Sequence, residues 1–226
     1  MEHTTRPIVV GSSALAVKYS EGVLMCTDTL ASYGSLAKFK QVPRMAAIGE
    51  NTLVGASGEY SDFQEIVRIL RQKEEEDFTM HDGVRMTPGH YASYLSSVLY
   101  NKRNKLNPLY NSVLMGGVQR GETYLAYLDF YGTHVLGDYV TTGMGSHLAK
   151  PILAREWRAD LSEQEAKALL EKCMRVLWYR DARASDRIQF AKVTQLGITF
   201  EDPYTMQSEW GLDSYRIYSL NPLFPY

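Results

Sequence analysis

The sequence has little cysteine, with two thiols in 226 residues, Cys26 and Cys173, far apart and outside any CxxC or metal-ligand spacing. No disulfide framework is required. Each thiol lies in an apolar segment where it behaves as a small hydrophobe, so a reducing compartment is expected. No stretch is apolar enough to span a bilayer. The polar start, Met1-Glu2-His3-Thr4-Thr5-Arg6-Pro7, precedes an apolar stretch too short for a secretory h-region. Cytoplasm and nucleus are the expected locations, with no membrane partner. Neither sign of charge dominates: 24 basic residues face 26 acidic ones, for a net charge of -2 without segregation, which leaves nucleic acid no electrostatic support as a partner. No GxGxxG, Walker-type loop, HExxH or GxSxG pattern occurs in a suitable context. The five histidines, His3, His81, His90, His134 and His147, show no ligand spacing, so neither a cofactor nor a metal is expected. Internal repeats, low-complexity tracts and interdomain linkers are also missing, and one domain is the economical reading.

What is present is a hydrophobic fraction of 45%, enough for a substantial core. The chain opens in β-type patterning: Ala14 to Tyr19, a turn at Ser20-Glu21-Gly22, then Val23 to Asp28. Short apolar runs follow at 45–48 and 52–56. From Tyr60 the period turns helical, with Phe63, Ile66, Val67 and Leu70 on one face and the acidic run Glu74 to Asp77 reading as a solvated helix end. Tyr91, Leu95, Val98 and Leu99 predict a second helix ending near Lys102 to Lys105. Strands are expected at 112–116, 123–130 and 134–136. Helices resume near 146–158 and from Leu161 to about Tyr179, the latter opened by the capping-box pattern Ser162-Glu163-Gln164-Glu165. Strands at 188–194 and 198–201 close the domain. Strands, two helices, strands, two helices, strands is not βαβ alternation; it predicts an α+β fold, a four-layer αββα sandwich of two antiparallel sheets with helix pairs outside.

Ordered motifs make this more specific. Gly11-Ser12-Ser13-Ala14-Leu15-Ala16-Val17-Lys18-Tyr19 and Gly22 to Asp28 resemble the opening hairpin of proteasome beta subunits. Gly55-Ala56-Ser57-Gly58-Glu59-Tyr60-Ser61-Asp62 resembles that family's turn into its first helix, and Tyr179-Arg180-Asp181-Ala182-Arg183 its YRDA motif. Ser32 to Ala37 and Tyr110 to Gly117 look like the non-catalytic seventh-subunit type. The resemblance runs in order from about Thr4 to about Trp210. It implies an N-terminal nucleophile hydrolase fold, with residues 1–11 as an extension or propeptide remnant, 12–202 as the beta-subunit domain, and 203–226 as a C-terminal arm.

Active members of the family free an N-terminal threonine whose hydroxyl attacks the peptide carbonyl while its α-amine moves the proton. Ser12 matches the nucleophile and follows Gly11 as processing requires. Arg44 matches the lysine beside it, and a guanidinium does not act as a neutral proton acceptor. Asp28 and Asp181 match retained carboxylates, although Asp28 with Arg44 is equally a buried structural ion pair. Met144 and Ala184 stand where active members carry hydroxyls. Gly58 matches an oxyanion-donor glycine but gets structural credit only. Tyr60 replaces a small residue at the substrate pocket, so that pocket is expected to be filled. As numbered Ser12 is internal, and unless the chain is cut after Gly11 it carries no free α-amine. No residue is therefore assigned a catalytic role.

The resemblance implies a non-catalytic structural subunit in the inner-ring chamber wall of a 28-subunit core particle. Its partners would be the other alpha and beta subunits and, indirectly, a regulatory particle, in ATP- and ubiquitin-dependent protein degradation. The alternative is an active N-terminal nucleophile peptidase using Ser12. A third reading is an unrelated monomeric α+β binding domain. The expected mature start is Thr4, and the aromatic tail beyond Asp202 is expected to reach neighbouring subunits rather than fold back on its own helices.

Overall fold

The computed structural model describes residues 6–80 and 83–211. Seven strands come first: β1 (Val9–Gly11), β2 (Ala14–Tyr19), β3 (Gly22–Asp28), β4 (Ala31–Tyr33), β5 (Leu36–Phe39), β6 (Met45–Ile48) and β7 (Thr52–Glu59). Two helices follow, α1 (Tyr60–Thr79) and α2 (Pro88–Asn104). Then come β8 (Asn111–Gln119), β9 (Glu122–Leu128), β10 (His134–Leu136) and β11 (Tyr139–Thr141). Helices α3 (Gly145–Leu148), α4 (Lys150–Glu156) and α5 (Glu163–Arg180) precede β12 (Arg187–Thr194), β13 (Gly197–Phe200) and β14 (Tyr204–Thr205).

The strands form two antiparallel sheets. One runs β10-β9-β8-β7-β1-β4-β5, with β6 also on β7; the other runs β11-β2-β3-β12-β13, with β14 also on β12. Period-two alternation sorts each strand between two cores. Along the β2–β3 hairpin, Leu15, Val17, Tyr19, Leu24 and Cys26 face α3 to α5, where they meet Leu153, Leu170, Cys173 and Leu177. Ala14, Ala16, Val23 and Met25 face the first sheet and meet Leu53, Leu114 and Leu125. The far side of the first sheet, with Val54, Val113 and Met115, takes Phe63, Ile66 and Leu70 of α1 and Leu95 and Leu99 of α2. The layers are thus helix, sheet, sheet, helix, the αββα sandwich the sequence predicts. Small residues set the spacing between sheets: a Cβ on Gly55 would stand 2.4 Å from Met25 Sδ, and one on Gly116 would stand 2.8 Å from Val23 Cγ1.

Capping follows the sequence closely at α5. The Ser162 hydroxyl accepts from Glu165 N–H at 3.4 Å and the Glu165 carboxylate accepts from Ser162 N–H at 2.9 Å. The helix expected near 146–158 is instead two, α3 and α4, meeting at Ala149. Pro151 has no N–H to continue the ladder and sits in the first turn of the second helix. Strands β1, β4, β5, β11 and β14 were not expected. Each is two to four residues long, too short for alternation to register. Residues 9–11 are therefore part of a sheet rather than a free extension. Beyond β14 the described chain packs back on its own α5, contrary to the expectation for the tail: the Trp210 ring lies 4.9 Å from that of Tyr179 and 6.0 Å from that of Trp178. The expected Thr4 start and the arm beyond Gly211 lie outside the described residues. Both cysteines are free and buried in the helix-facing core, where burial pushes the Cys173 thiol up to about 12 and the Cys26 thiol well above its ordinary value.

Candidate functional site

Ser12 and Ser13 form the crossing between sheets, since β1 ends in one and β2 begins in the other. Arg44 fills the space beneath this crossing and is 2% exposed. A guanidinium has five N–H bonds to donate, and here all five find oxygen. Nε donates to Asp28 O at 3.0 Å; Nη1 donates to Ser12 O at 2.7 Å and Ala56 O at 3.3 Å; Nη2 donates to Ser13 O at 2.9 Å and to the Asp28 carboxylate. These acceptors come from both sheets, so the side chain ties β3 and the start of β2 to β7. Gly11 makes room for it: a Cβ there would come 2.5 Å from Arg44 Cδ.

Asp28 is 1% exposed, and its other carboxylate oxygen accepts from Ser185 N–H at 2.9 Å. Burial raises its carboxyl above the ordinary range, against the opposing pull of the Arg44 charge and the Ser185 N–H. Asp28 and Arg44 touch, which sequence alone left open. Asp181 caps the C-terminal end of α5. Its carboxylate accepts the Ser12 hydroxyl and, at 2.9 Å, the Arg183 N–H. The Ser12 hydroxyl is thus a donor to a carboxylate. Its own nitrogen is a peptide amide joined to Gly11, whose register partners are Ala31 and Gly58.

The other sequence candidates lie around this centre. Gly58 has φ +102°, and a Cβ would fall 2.1 Å from Tyr110 O, so glycine is a backbone requirement at this close approach of β8. Met144 is 43% exposed and its side chain supplies no hydrogen bond; Ala184 is buried and has none to supply. Tyr60 opens α1 two residues after Gly58. It is half-buried on the wall of a groove of about 650 Å³, beside Pro43, Met45, Phe63 and Arg71, and its ring leans toward Phe63 at 6.4 Å.

Three participants carried no sequence signal. Ser13 Oγ accepts from Gly145 N–H at 2.9 Å, and Thr142 Oγ1 accepts from Ala14 N–H at 2.8 Å, together pinning the start of β2 to the turn before α3. Glu59 is 8% exposed, and its carboxylate accepts from the N–H groups of Ile8 and Val9, the latter at 3.0 Å. Among the described residues no cluster of His, Cys, Asp and Glu could hold a metal ion, and no helix is long and apolar enough to cross a membrane.

The chain matches a family model described as "Proteasome subunit" over residues 8–193. It is 46% identical to "Proteasome subunit beta type-4" of Arabidopsis thaliana over 95% of this chain and 87% of that one. It is 40% identical to "Proteasome subunit beta type-4" of Xenopus laevis, over 93% of this chain and 88% of that one. With "Probable proteasome subunit beta type-7" of Schizosaccharomyces pombe it shares 42% identity, over 93% of this chain and 82% of that one.

Proposed function

We propose that this chain, which belongs to the proteasome subunit family as a beta subunit of the core, contributes a wall position and assembly surface to the particle and cuts no peptide bond itself. One observation carries the reading: the cationic neighbour of Ser12 is Arg44, with all five N–H bonds already given to oxygen. General-base activation of a hydroxyl needs an acceptor that can take its proton and return it. Arg44 offers none, and an amide nitrogen at Ser12 does not replace an α-amine. Asp181, already accepting from the Ser12 hydroxyl, stands at a helix end and orients it. Met144 and Ala184 supply no hydroxyl to a proton relay. Unless the chain is cut after Gly11, the serine peptidase alternative thus lacks the α-amine base that active members use.

In this reading the chain sits in the inner rings of a 28-subunit particle among alpha and beta neighbours. It is coupled indirectly to a regulatory particle in ubiquitin- and ATP-dependent degradation, in cytoplasm and nucleus. The arm that reaches neighbouring subunits begins, in this reading, beyond β14 and the buried Met206, which belong to the domain's own sheet and core. Loss of chemistry with retention of fold is sensible in a ring, where every position must be filled and not every one must cut.

The test is the substitution Ser12→Ala in cells carrying no other copy. Particles should assemble, the chain should start upstream of Ser12 by intact mass, and every peptidase activity of the purified particle should equal that of the unsubstituted one. A chain beginning at Ser12 in unsubstituted particles, together with loss of one activity in the variant, would establish the peptidase instead.

A further inference from the structure

The strand β1 is inserted between β4 and β7, antiparallel to both, so that Val10 faces Ser32 on one side and Glu59 on the other. Its neighbour β7 ends at Glu59, because Tyr60 begins α1. Beyond that point the main chain turns away and offers β1 no further carbonyls, leaving the N–H groups of Ile8 and Val9 without a ladder partner on that side. The Glu59 side chain takes their place. One carboxylate oxygen accepts from both N–H groups, and the other is held by the Ser61 hydroxyl at 3.1 Å. A carboxylate this buried is costly unless its lone pairs are met. Among the described residues Glu59 makes no ion pair, so these three hydrogen bonds and the N-terminal end of α1 are what it has. Charge-assisted bonds of this kind are about twice as strong as neutral ones.

We propose that Glu59 is the positioning residue that keeps the chain's own residues Ile8 to Gly11 seated in the slot between β4 and β7, extending the sheet by a side chain where the backbone leaves it. Its consequence is that the Gly11–Ser12 bond stays anchored at the end of a paired strand, where the chain crosses between sheets, and the slot stays closed to any other extended chain. The proposal rests on the non-catalytic reading above, since only an uncut chain has a strand to hold.

Particles carrying Glu59→Ala or Glu59→Gln as the sole copy would be compared with unsubstituted ones by hydrogen exchange and intact mass. Exchange across residues 6–11 should rise about tenfold in the alanine variant, as expected for loss of charge-assisted bonds to two amides. In the glutamine variant, which keeps the shape and one acceptor oxygen, a smaller rise is expected. Exchange in β2, residues 14–19, should not change in either. Equal protection of residues 6–11 in uncut variant and unsubstituted chains would overturn the role of Glu59 and leave the non-catalytic reading intact. If the alanine variant does not accumulate, the glutamine variant decides by the same two outcomes. A variant chain found to begin at Ser12 would show that Glu59 restrained cleavage and would overturn the non-catalytic reading.

Discussion

Arg44 is the residue on which the centre depends, and its energetics can be separated from any catalytic history. Replacing a buried ion pair by apolar groups is often neutral, whereas removing one partner strands the other. Arg44→Ala strands the Asp28 carboxylate and leaves the carbonyls of Ser12, Ser13, Asp28 and Ala56 without these donors. A loss of about 3–5 kcal/mol is expected, read as failure of the variant to enter particles or as a lower unfolding midpoint. The loss should deepen with pH. Burial already raises Asp28 in the folded state, and without Arg44 less opposes it. The folded chain then prefers the protonated acid, so stability is greatest below the unfolded carboxyl value and falls as pH rises through the raised one. Arg44→Lys keeps charge but brings three donors for five acceptors, so an intermediate loss is expected and no recovered activity. At this scale sequence went far. Asp28, Arg44, Ser12 and Asp181 meet around one crossing, as the family resemblance implied. Which of the two meanings of Asp28 with Arg44 holds, relay or ion pair, needed the donor geometry. Glu59 was named within a motif but given no role, because its partners are backbone amides, which leave no trace in residue identity.

Among the elements, those with a period were legible and those without were not. Helices α1 and α5 and strands β2, β3, β8 and β12 each present several residues to a core, and their apolar spacing declares it. β5 has four exposed residues and no alternation at all, and β1 is three residues long. Such strands exist because a neighbour's unpaired edge recruits them, which is a property of the assembled sheet. The break between α3 and α4 was legible in Pro151 and was missed because the apolar spacing continues across it. The capping box at α5 gives a clean test of local sequence coding. Ser162→Ala removes both the acceptor for Glu165 N–H and the hydroxyl donor to the Glu165 carboxylate at an exposed helix start. A loss of about 1 kcal/mol is expected, seen as a lower unfolding midpoint with peptidase activities unchanged. A loss of several kcal/mol would mean that the cap supports an interface as well as a helix.

The whole molecule exposes what a lone soluble domain usually hides. At one end of the first sheet the edge strand β5 carries Leu36 and Phe39 at 59% and 43% exposure, next to Tyr33 at 51%. At the other end, edge strand β10 carries Val135 and Leu136 at 51% and 64%, near Tyr131 at 53%. Proteins that live alone blunt such edges with charge, bulges or proline. Here Lys38 lies over the Tyr33 and Phe39 rings at 5.1 and 5.2 Å, partly shielding one end, and β10 has no counterpart in its own three residues, His134, Val135 and Leu136. Apolar side chains on two opposite sheet edges suit a subunit flanked on both sides, and in isolation they favour edge-to-edge association. Sequence patterning located these strands only in part and could not say that they were edges, since edge position follows from sheet order and not from composition. The chain expressed by itself is therefore expected to aggregate or form mixed oligomers. Lysine at Leu36 and Leu136 together should make the isolated chain more soluble and at the same time impair its entry into particles. Size-exclusion chromatography with light scattering reads the first effect and recovery in purified particles the second. A stable monomer from the unsubstituted chain would overturn the expectation that these two edges need neighbours, because a surface that stays single in solution is not one that must be covered.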